Sequence, residues 1–195
     1  MTDAADPSRY GASALATPAN AITIARMALA VPFLAFVAGG GASYWAVLAW
    51  FLLTASDGID GHLARKHGTT RSGAFLDPLA DKVLVLGAGW ALVVSGTFWW
   101  VPVALITVRE IGISGFRSWY ARHGIAVPAR YAAKVKTVVQ ELAVAFALLP
   151  PVAESAEWVH VIALWVAVVL TIGTGISYVT DGHRSFSRTG DRHAA

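Results

Sequence analysis

Two scarcities mark this sequence of 195 residues: it has no cysteine and little charge. The absence of cysteine excludes disulfide frameworks, cysteine-ligated zinc and thiol catalysis. Only 14% of the residues are charged, whereas a soluble domain usually has about 25%. Charge this sparse cannot cover a water-facing surface, and 56% of the residues are hydrophobic. The composition therefore predicts a membrane protein with one domain.

Six apolar segments follow one another along the chain, beginning with 21–37. A transmembrane helix needs about 20 residues to cross the hydrocarbon core, and the last segment, 158–179, reaches that length by itself. The segments 44–55, 83–94 and 98–108 are shorter, and each is joined to a polar flank. Such a segment can span only if its flank enters the membrane as helix, because backbone at that depth must be helical or line a cavity. The sequence therefore predicts an all-α bundle of six transmembrane helices around a polar cavity that opens to one face.

Lysine and arginine are confined to one side of this predicted bundle. The connections 39–43, 95–97 and 150–157 contain neither residue type, and all fifteen basic residues fall on the other side. Because cytoplasmic loops have the excess of Lys and Arg, that side is predicted to be cytoplasmic, and both termini and the cavity face it. The basic residues are shared among short loops and helix ends, which excludes a nucleic-acid-binding surface. We therefore expect a multi-pass protein of the cytoplasmic (inner) cell membrane.

The chain is predicted to have one membrane domain between two polar ends. We expect 1–19 to be a polar or interfacial segment, 20–181 to be the six-helix transmembrane domain, and 182–195 to be a cytoplasmic tail. Terminal segments of this kind are usually less tightly held than the domain between them. The candidate functional residues are therefore sought within 20–181.

Four aspartates lie beside the second and third apolar segments. Asp57 and Asp60 are three residues apart, and Asp77 and Asp81 are four apart, so each pair shares one face of a helix. A short loop joins the two helices, which are therefore predicted to be antiparallel neighbours. The four carboxylates can then converge in the cavity.

Four ionised carboxylates in one cavity repel each other strongly, and a divalent cation relieves that repulsion. Oxygen ligands suit Mg²⁺, Mn²⁺ or Ca²⁺, and two metal ions about 3.5–4 Å apart need about this many carboxylates. Gly61 and Ala64 share the face of Asp57 and lack bulk, which leaves room for a ligand. Arg65 lies one turn away and can hold a phosphate. The pattern predicts a site for divalent metal and phosphate.

Each of these residues also has a simpler interpretation. Asp77 before Pro78 is typical of a helix N-cap with proline at the first position. Asp57 and Asp60 could be ordinary interfacial residues, and Gly61 could be a glycine of helix packing. Carboxylates at membrane depth are functional by default, however, and four occur together here. The combination favours a functional site.

The segment between the second and third apolar runs resembles the signature of the CDP-alcohol phosphotransferase family, DxxDGxxAR followed by a short spacer and GxxxDxxxD. PANAITIAR is similar to the opening of these enzymes, and REIGISGFR and KVKTVVQ are similar to their phosphatidylglycerophosphate synthase branch. The signature positions matched are Asp57, Asp60, Gly61, Ala64, Arg65, Gly73, Asp77 and Asp81.

The resemblance implies transfer of a phosphatidyl group from CDP-diacylglycerol to an alcohol, with release of CMP. It implies that Asp57, Asp60 and Asp77 hold Mg²⁺ or Mn²⁺, two ions in all. Asp81 would complete the metal site and act as general base on the acceptor hydroxyl. The resemblance also implies a homodimer surrounded by membrane lipids. The residues implied to line the pocket for the CDP moiety are Gly61, Ala64, Arg65 and Gly73.

Basic residues at the inner ends of the fourth and fifth segments suggest a second pocket, for the phosphate of the acceptor. Arg109 and Arg117 are eight residues apart and so near the same helix face, and Lys134 is the third predicted phosphate ligand. Lys134 and Lys136 are two apart and cannot share one narrow face, so that one faces the cavity and the other the headgroups. These charges also suit positive-inside topology and headgroup contact alone.

The acceptor and the protein class both have alternatives. A basic pocket favours a phosphorylated acceptor, and the stretches resembling the synthase branch favour glycerol 3-phosphate. Inositol phosphate and phosphatidylglycerol also have a phosphate, whereas serine does not. An ion-binding transporter is a different class, since intramembrane carboxylates can bind ions. The one-sided aspartates and the absence of an inverted repeat argue against it, and the complete signature argues against a catalytically silent scaffold.

Overall fold

The computed structural model describes the backbone of residues 18–67, 71–122 and 131–193, and the side chains of 20–56, 78–120, 134–178 and 180. These residues form helices, and no strand occurs in the described part of the chain. The all-α prediction is confirmed. The helices are α1 (Pro18–Ala38), α2 (Tyr44–His67), α3 (Arg71–Val94), α4 (Trp100–Arg122), α5 (Tyr131–Leu148), α6 (Pro150–Ser155) and α7 (Glu157–His193).

The polar flanks of the three short apolar segments are helical, as predicted. SDGIDGHLARKH continues α2 without a break, FLDPLADK lies within α3, and REIGISGFR lies within α4. Each of these helices has 23 or 24 residues, enough to cross a bilayer by length. The spacing on which the aspartate faces were assigned is therefore helical spacing.

The helix bounds rule out one alternative interpretation of Asp77 and show where the last helices begin and end. Asp77 is not an N-cap, because α3 begins at Arg71 and has Pro78 in its interior. An interior proline removes one hydrogen bond of the helix, which neighbouring helices in a membrane bundle can tolerate. The fifth helix ends at Leu148, and the two prolines that follow start the separate short helix α6. The last helix begins at Glu157 and continues to His193, through most of the predicted tail.

Apolar length alone identifies fewer spans than the six predicted. Within the described residues, Asn20–Ala38 and Glu157–Tyr178 are long and apolar enough to cross a membrane, and Tyr44–Ser56 is a shorter apolar stretch. The other long helices include polar flanks, which lower their mean hydropathy. The count of six spans and the side on which the termini lie stay predictions.

Small residues on α3 bring its neighbours close. A Cβ at Gly87 would lie 2.7 Å from Cδ1 of Leu34 in α1, and one at Gly89 would lie 3.2 Å from Cγ1 of Val103 in α4. Close approach at glycine is typical of helix packing in membranes. Helix α2 also packs against α1, where the Phe33 and Trp50 rings stack with centroids 6.0 Å apart.

Polar bonds between helices fix the second half of the bundle. Gln140 Nε2 in α5 donates to Thr171 Oγ1 in α7 at 2.8 Å, and both side chains are buried. Trp50 Nε1 in α2 donates to the carbonyl oxygen of Glu141 in α5 at 3.1 Å. Bonds of this kind contribute about 0.6–2 kcal/mol each in membrane bundles. Together with the packing of α4 on α7, they bring α4, α5 and α7 around one cavity.

Candidate active site

A polar cavity of about 160 Å³ lies where α3, α4, α5 and α7 meet. It receives an acidic side chain from α3, a cluster of charged side chains from α4 and α5, and an aromatic ring from α7. The cations outnumber the carboxylates, so the cavity suits an anionic ligand. The polar and aromatic lining residues are Asp81, Lys82, Arg109, Glu110, Ser114, Arg117, Lys136, Thr137, Gln140 and Tyr178.

A buried ion-pair cluster forms the wall between α4 and α5. Glu110 is 7% exposed and Lys136 is 6% exposed. Glu110 Oε1 accepts a hydrogen bond from Arg109 Nη1 at 2.8 Å and another from Lys136 Nζ. Buried charges are stable only when they are paired and hydrogen-bonded. Glu110 therefore holds two cations at fixed positions on the cavity wall. The net charge of the three side chains together is positive.

Arg109 is also tied to the last helix. Its Nη2 donates to Thr174 Oγ1 at 2.9 Å, and Thr174 Oγ1 in turn donates to the Leu170 carbonyl at 2.7 Å. A Cβ at Gly175 would lie only 3.1 Å from Arg109 Nε and 3.3 Å from its Cγ. The absence of a side chain at this position thus leaves space for Arg109 to lie against α7.

Tyr178 connects Arg109 and Arg117 of α4. The ring is 4% exposed, and its centroid is 6.0 Å from Cζ of Arg109 and 5.9 Å from Cζ of Arg117. A guanidinium within about 6 Å of an aromatic ring is attracted to it. The structure therefore brings Arg109 and Arg117 to the same cavity, with Tyr178 orienting both.

The sequence analysis missed this contribution of α7. The signal was present, because Thr171, Thr174 and Tyr178 fall at i, i+3 and i+7 and so form one polar face in an otherwise apolar span. Hydropathy alone treats that span as a uniform membrane helix. Polar residues at helical spacing within such a span would have identified the face.

Of the two neighbouring lysines, the structure places Lys136 at the cavity and leaves Lys134 exposed and outside its lining. Residues two positions apart on a helix are separated by about 200° around its axis, so only one of the two lysines can point inward. The spacing predicted that one lysine faces the cavity and the other does not, but Lys134 was the one assigned to the phosphate site. The side chain that reaches the cavity is Lys136.

The structure describes one of the four aspartate side chains of the predicted metal site. Asp81 is partly buried on α3 and lines the polar cavity. Its position fits a site for hard cations, since a carboxylate beside a ligand-sized cavity supplies the oxygen donors that Mg²⁺ and Mn²⁺ prefer. The predicted residues that lie outside the described side chains are Asp57, Asp60, Gly61, Ala64, Arg65, Gly73 and Asp77.

Comparison with known proteins identifies relatives that extend over most of the chain. A "Probable phosphatidylglycerophosphate synthase" of Mycobacterium tuberculosis is 36% identical over 176 residues, which cover 87% of this chain and 83% of the relative. Two proteins named "CDP-diacylglycerol--glycerol-3-phosphate 3-phosphatidyltransferase" are also similar. That of Pectobacterium atrosepticum is 41% identical over 147 residues, 69% of this chain and 79% of the relative. That of Escherichia coli K12 is 39% identical over 140 residues, 69% of this chain and 76% of the relative.

The family match covers α3, α4 and the first part of α7, and it includes α5. The CDP-alcohol phosphatidyltransferase family matches residues 16–173. This range contains the whole aspartate signature, the ion-pair cluster of α4 and α5, and most of the apolar part of α7. The chain therefore belongs to the CDP-alcohol phosphatidyltransferase family.

Proposed function

We propose that this protein transfers the phosphatidyl group of CDP-diacylglycerol to a hydroxyl of sn-glycerol 3-phosphate, releasing CMP and forming phosphatidylglycerophosphate. One observation carries the proposal: Asp81 and the cationic cluster of α4 and α5 line the same cavity. A carboxylate suited to accept a proton thus lies in one pocket with cations suited to hold a phosphate. The names of the similar proteins support the same donor and acceptor.

The phosphate of the acceptor would lie on the cations that face the cavity. Arg109 and Arg117 present guanidinium groups, which match phosphate oxygens in pairs, and Lys136 adds an ammonium group. In this set Lys136 takes the place of Lys134, which was assigned from the sequence. We assign the exposed Lys134 to contact with lipid headgroups. Serine has no phosphate for these cations to bind.

The reaction requires one bond to form and one to break at the same phosphorus. The acceptor hydroxyl oxygen attacks the phosphorus that is esterified to diacylglycerol, and the bond from that phosphorus to the bridging oxygen of CMP breaks. Asp81 accepts the proton of the hydroxyl, and CMP leaves with the bridging oxygen as one of the oxygens of its phosphate group. Phosphoryl transfer depends mainly on positioning and on neutralising charge, which the cavity side chains provide for the acceptor.

The remaining signature residues would serve the donor. Asp57, Asp60 and Asp77 would hold two Mg²⁺ or Mn²⁺ ions with Asp81, and such ions neutralise charge on the pyrophosphate. Gly61, Ala64 and Gly73 would let the nucleotide approach the helices closely, and Arg65 would contact its phosphates. An oxygen-only ligand set fits these metals, and the chain has no cysteine to compete for softer ones.

We also propose that six helices span the cytoplasmic membrane, with both termini and the active site on the cytoplasmic side. Helices α1 to α5 and α7 each have 18 or more residues. The one-sided distribution of lysine and arginine supports the orientation. The resemblance to homodimeric enzymes supports a dimer.

CMP release with a panel of acceptors tests the proposed reaction. The purified protein in detergent receives CDP-diacylglycerol, Mg²⁺ or Mn²⁺, and one of glycerol 3-phosphate, inositol phosphate, phosphatidylglycerol or serine. We expect metal-dependent release with glycerol 3-phosphate alone, and its loss in Asp81→Asn. Release with a different acceptor would replace the substrate, and no release with any acceptor, from folded protein, would contradict the reaction itself.

A further inference from the structure

Gln140 of α5 lies at the deep end of the polar cavity. Beyond it is a second, smaller cavity of about 20 Å³, whose other lining residues are apolar. Val85, Leu86 and Gln140 line both cavities, so they mark the boundary between them. Asp81 and Lys136 lie four residues before Val85 and Gln140 on the same helix faces, and they line the polar cavity alone. A ligand that enters at the level of Asp81 and Lys136 therefore meets Gln140 last.

The amide of Gln140 is held in one orientation. Its Nε2 donates to Thr171 Oγ1 in α7 at 2.8 Å, and this bond directs the nitrogen away from the cavity. The other end of the amide, Oε1, has no hydrogen-bond partner among the described residues. Gln140 is 5% exposed, and Oε1 is not one of the fully buried unpaired atoms of the described side chains. The oxygen therefore faces the cavity and can accept a hydrogen bond from a ligand.

The acceptor of the proposed reaction has one polar group that no cavity residue has yet been assigned to hold. Glycerol 3-phosphate has a phosphate at one end, a terminal hydroxyl at the other, and a secondary hydroxyl on the middle carbon. The phosphate is assigned to the cations of α4 and α5, and the terminal hydroxyl, the less hindered nucleophile, to Asp81. A hydroxyl that is buried without a hydrogen-bond partner is costly. Gln140 lies about 6 Å deeper than the level of these two contacts, on the side to which the middle carbon can direct its hydroxyl.

We propose that Gln140 Oε1 accepts a hydrogen bond from the secondary hydroxyl of the acceptor and thereby selects one enantiomer of glycerol phosphate. The inference rests on the proposed function, because that reaction supplies the other two contacts. When the phosphate and the terminal hydroxyl are both held, the secondary hydroxyl of sn-glycerol 1-phosphate, the mirror image, exchanges places with a hydrogen atom. The amide oxygen then loses its partner, and a site built to bond a hydroxyl discriminates strongly against a ligand that lacks it there.

The variant Gln140→Leu removes the amide and keeps a side chain of similar size. Thr171 can then bond the backbone carbonyl four residues before it in α7, so the bundle keeps its polar groups paired. The measurement is kcat/KM from CMP release at saturating CDP-diacylglycerol and Mg²⁺. The acceptors are sn-glycerol 3-phosphate, sn-glycerol 1-phosphate and 3-hydroxypropyl phosphate, which has no secondary hydroxyl.

The preference between acceptors separates recognition from a structural role. We expect the parent protein to prefer sn-glycerol 3-phosphate at least about tenfold over each of the other two, since an unpaired amide oxygen costs about that ratio. In Gln140→Leu we expect both preferences to fall to about threefold or less. An amide that only joins α5 to α7 would lower kcat/KM for all three acceptors by the same factor and leave the preferences unchanged.

Two neighbouring positions supply matched controls. Val144 lies one turn beyond Gln140 and lines the apolar cavity alone, so Val144→Ala should keep the preferences of the parent protein. Thr171→Val removes the hydroxyl that fixes the amide and should give preferences between those of the parent protein and Gln140→Leu. Thr171→Ser keeps that hydroxyl and should keep the preferences.

The outcomes distinguish this proposal from the proposed function. Unchanged preferences in Gln140→Leu would overturn the role of the amide, and if that variant does not fold, unchanged preferences in Thr171→Val would do so. A parent protein that uses 3-hydroxypropyl phosphate as well as sn-glycerol 3-phosphate would also overturn it and leave the reaction intact. A parent protein that releases no CMP with sn-glycerol 3-phosphate would instead contradict the proposed function.

Discussion

At the scale of single residues, Glu110 is the centre of the buried ion-pair cluster on the cavity wall. It is a buried carboxylate whose Oε1 accepts hydrogen bonds from two cations, Arg109 and Lys136. Without it the two cations would repel each other in a site shielded from water. Glu110 is thus a positioning residue, which acts on the acceptor through its two partners.

The variant Glu110→Gln removes this negative charge and keeps the size of the side chain. We expect the free energy of unfolding to fall by about 3 kcal/mol, because removing one partner of a buried pair leaves the others uncompensated. The acceptor KM should rise as Arg109 and Lys136 lose their fixed positions, while the donor KM stays close to that of the parent protein. Thermal unfolding in detergent and acceptor saturation curves measure the two effects.

The conservative variant Glu110→Asp separates positioning from mere stability. It retains the negative charge, so its acceptor KM should lie between those of Glu110→Gln and the parent protein. A lower acceptor KM in Glu110→Gln than in the parent protein would show that Glu110 competes with phosphate for the cations, contrary to the role assigned here.

At the scale of elements, hydropathy and helical spacing predicted α2, α3 and α4 well. Their apolar runs were too short to span alone, which required the polar flanks to be helical, and the flanks are helical. The proline within α3 was harder to interpret, since Asp-Pro is the ordinary start of a helix and only packing with neighbours makes an interior proline acceptable. The role of α7 was missed because threonine, glycine and tyrosine add no charge to an apolar span.

A substitution in α7 tests whether this helix positions Arg109. Gly175→Ala places a Cβ 3.1 Å from Arg109 Nε. We therefore expect the guanidinium to move and the acceptor KM to rise about fivefold. Gly173→Ala is the matched control, because a Cβ there meets nothing within 4 Å. Both changes favour helix by about 1 kcal/mol. Equal acceptor KM values in the two variants would show that Arg109 does not depend on α7.

At the scale of the whole molecule, the predicted topology can be tested directly. The chain has no cysteine, so a single introduced cysteine is labelled without background. Ala42 lies in the exposed connection between α1 and α2, and Ala195 is the last residue. We expect a membrane-impermeant maleimide to label Ala42→Cys in intact cells and to label Ala195→Cys only in permeabilised cells. The reverse pattern would contradict the cytoplasmic placement of the termini.

The architecture of the bundle was predictable from the sequence, whereas the side chains that line its cavity depend on packing. Composition and the short apolar segments with polar flanks predicted a helical bundle with a polar cavity. Spacing separated Lys134 from Lys136, but only the rotation of α5 against α4 decides which lysine is inside. Contacts between distant segments, such as Arg109 with Thr174, cannot be read from local pattern.

The central claim is that Arg109 and Arg117 hold the acceptor phosphate in the cavity that contains Asp81. The most direct measurement is the KM for glycerol 3-phosphate in Arg109→Ala and Arg117→Ala, with the exposed Lys134→Ala as control. Losing one charge-assisted bond should raise the acceptor KM at least about tenfold in each arginine variant. The donor KM and the Lys134→Ala values should stay near those of the parent protein. An unchanged acceptor KM in both arginine variants would contradict the account.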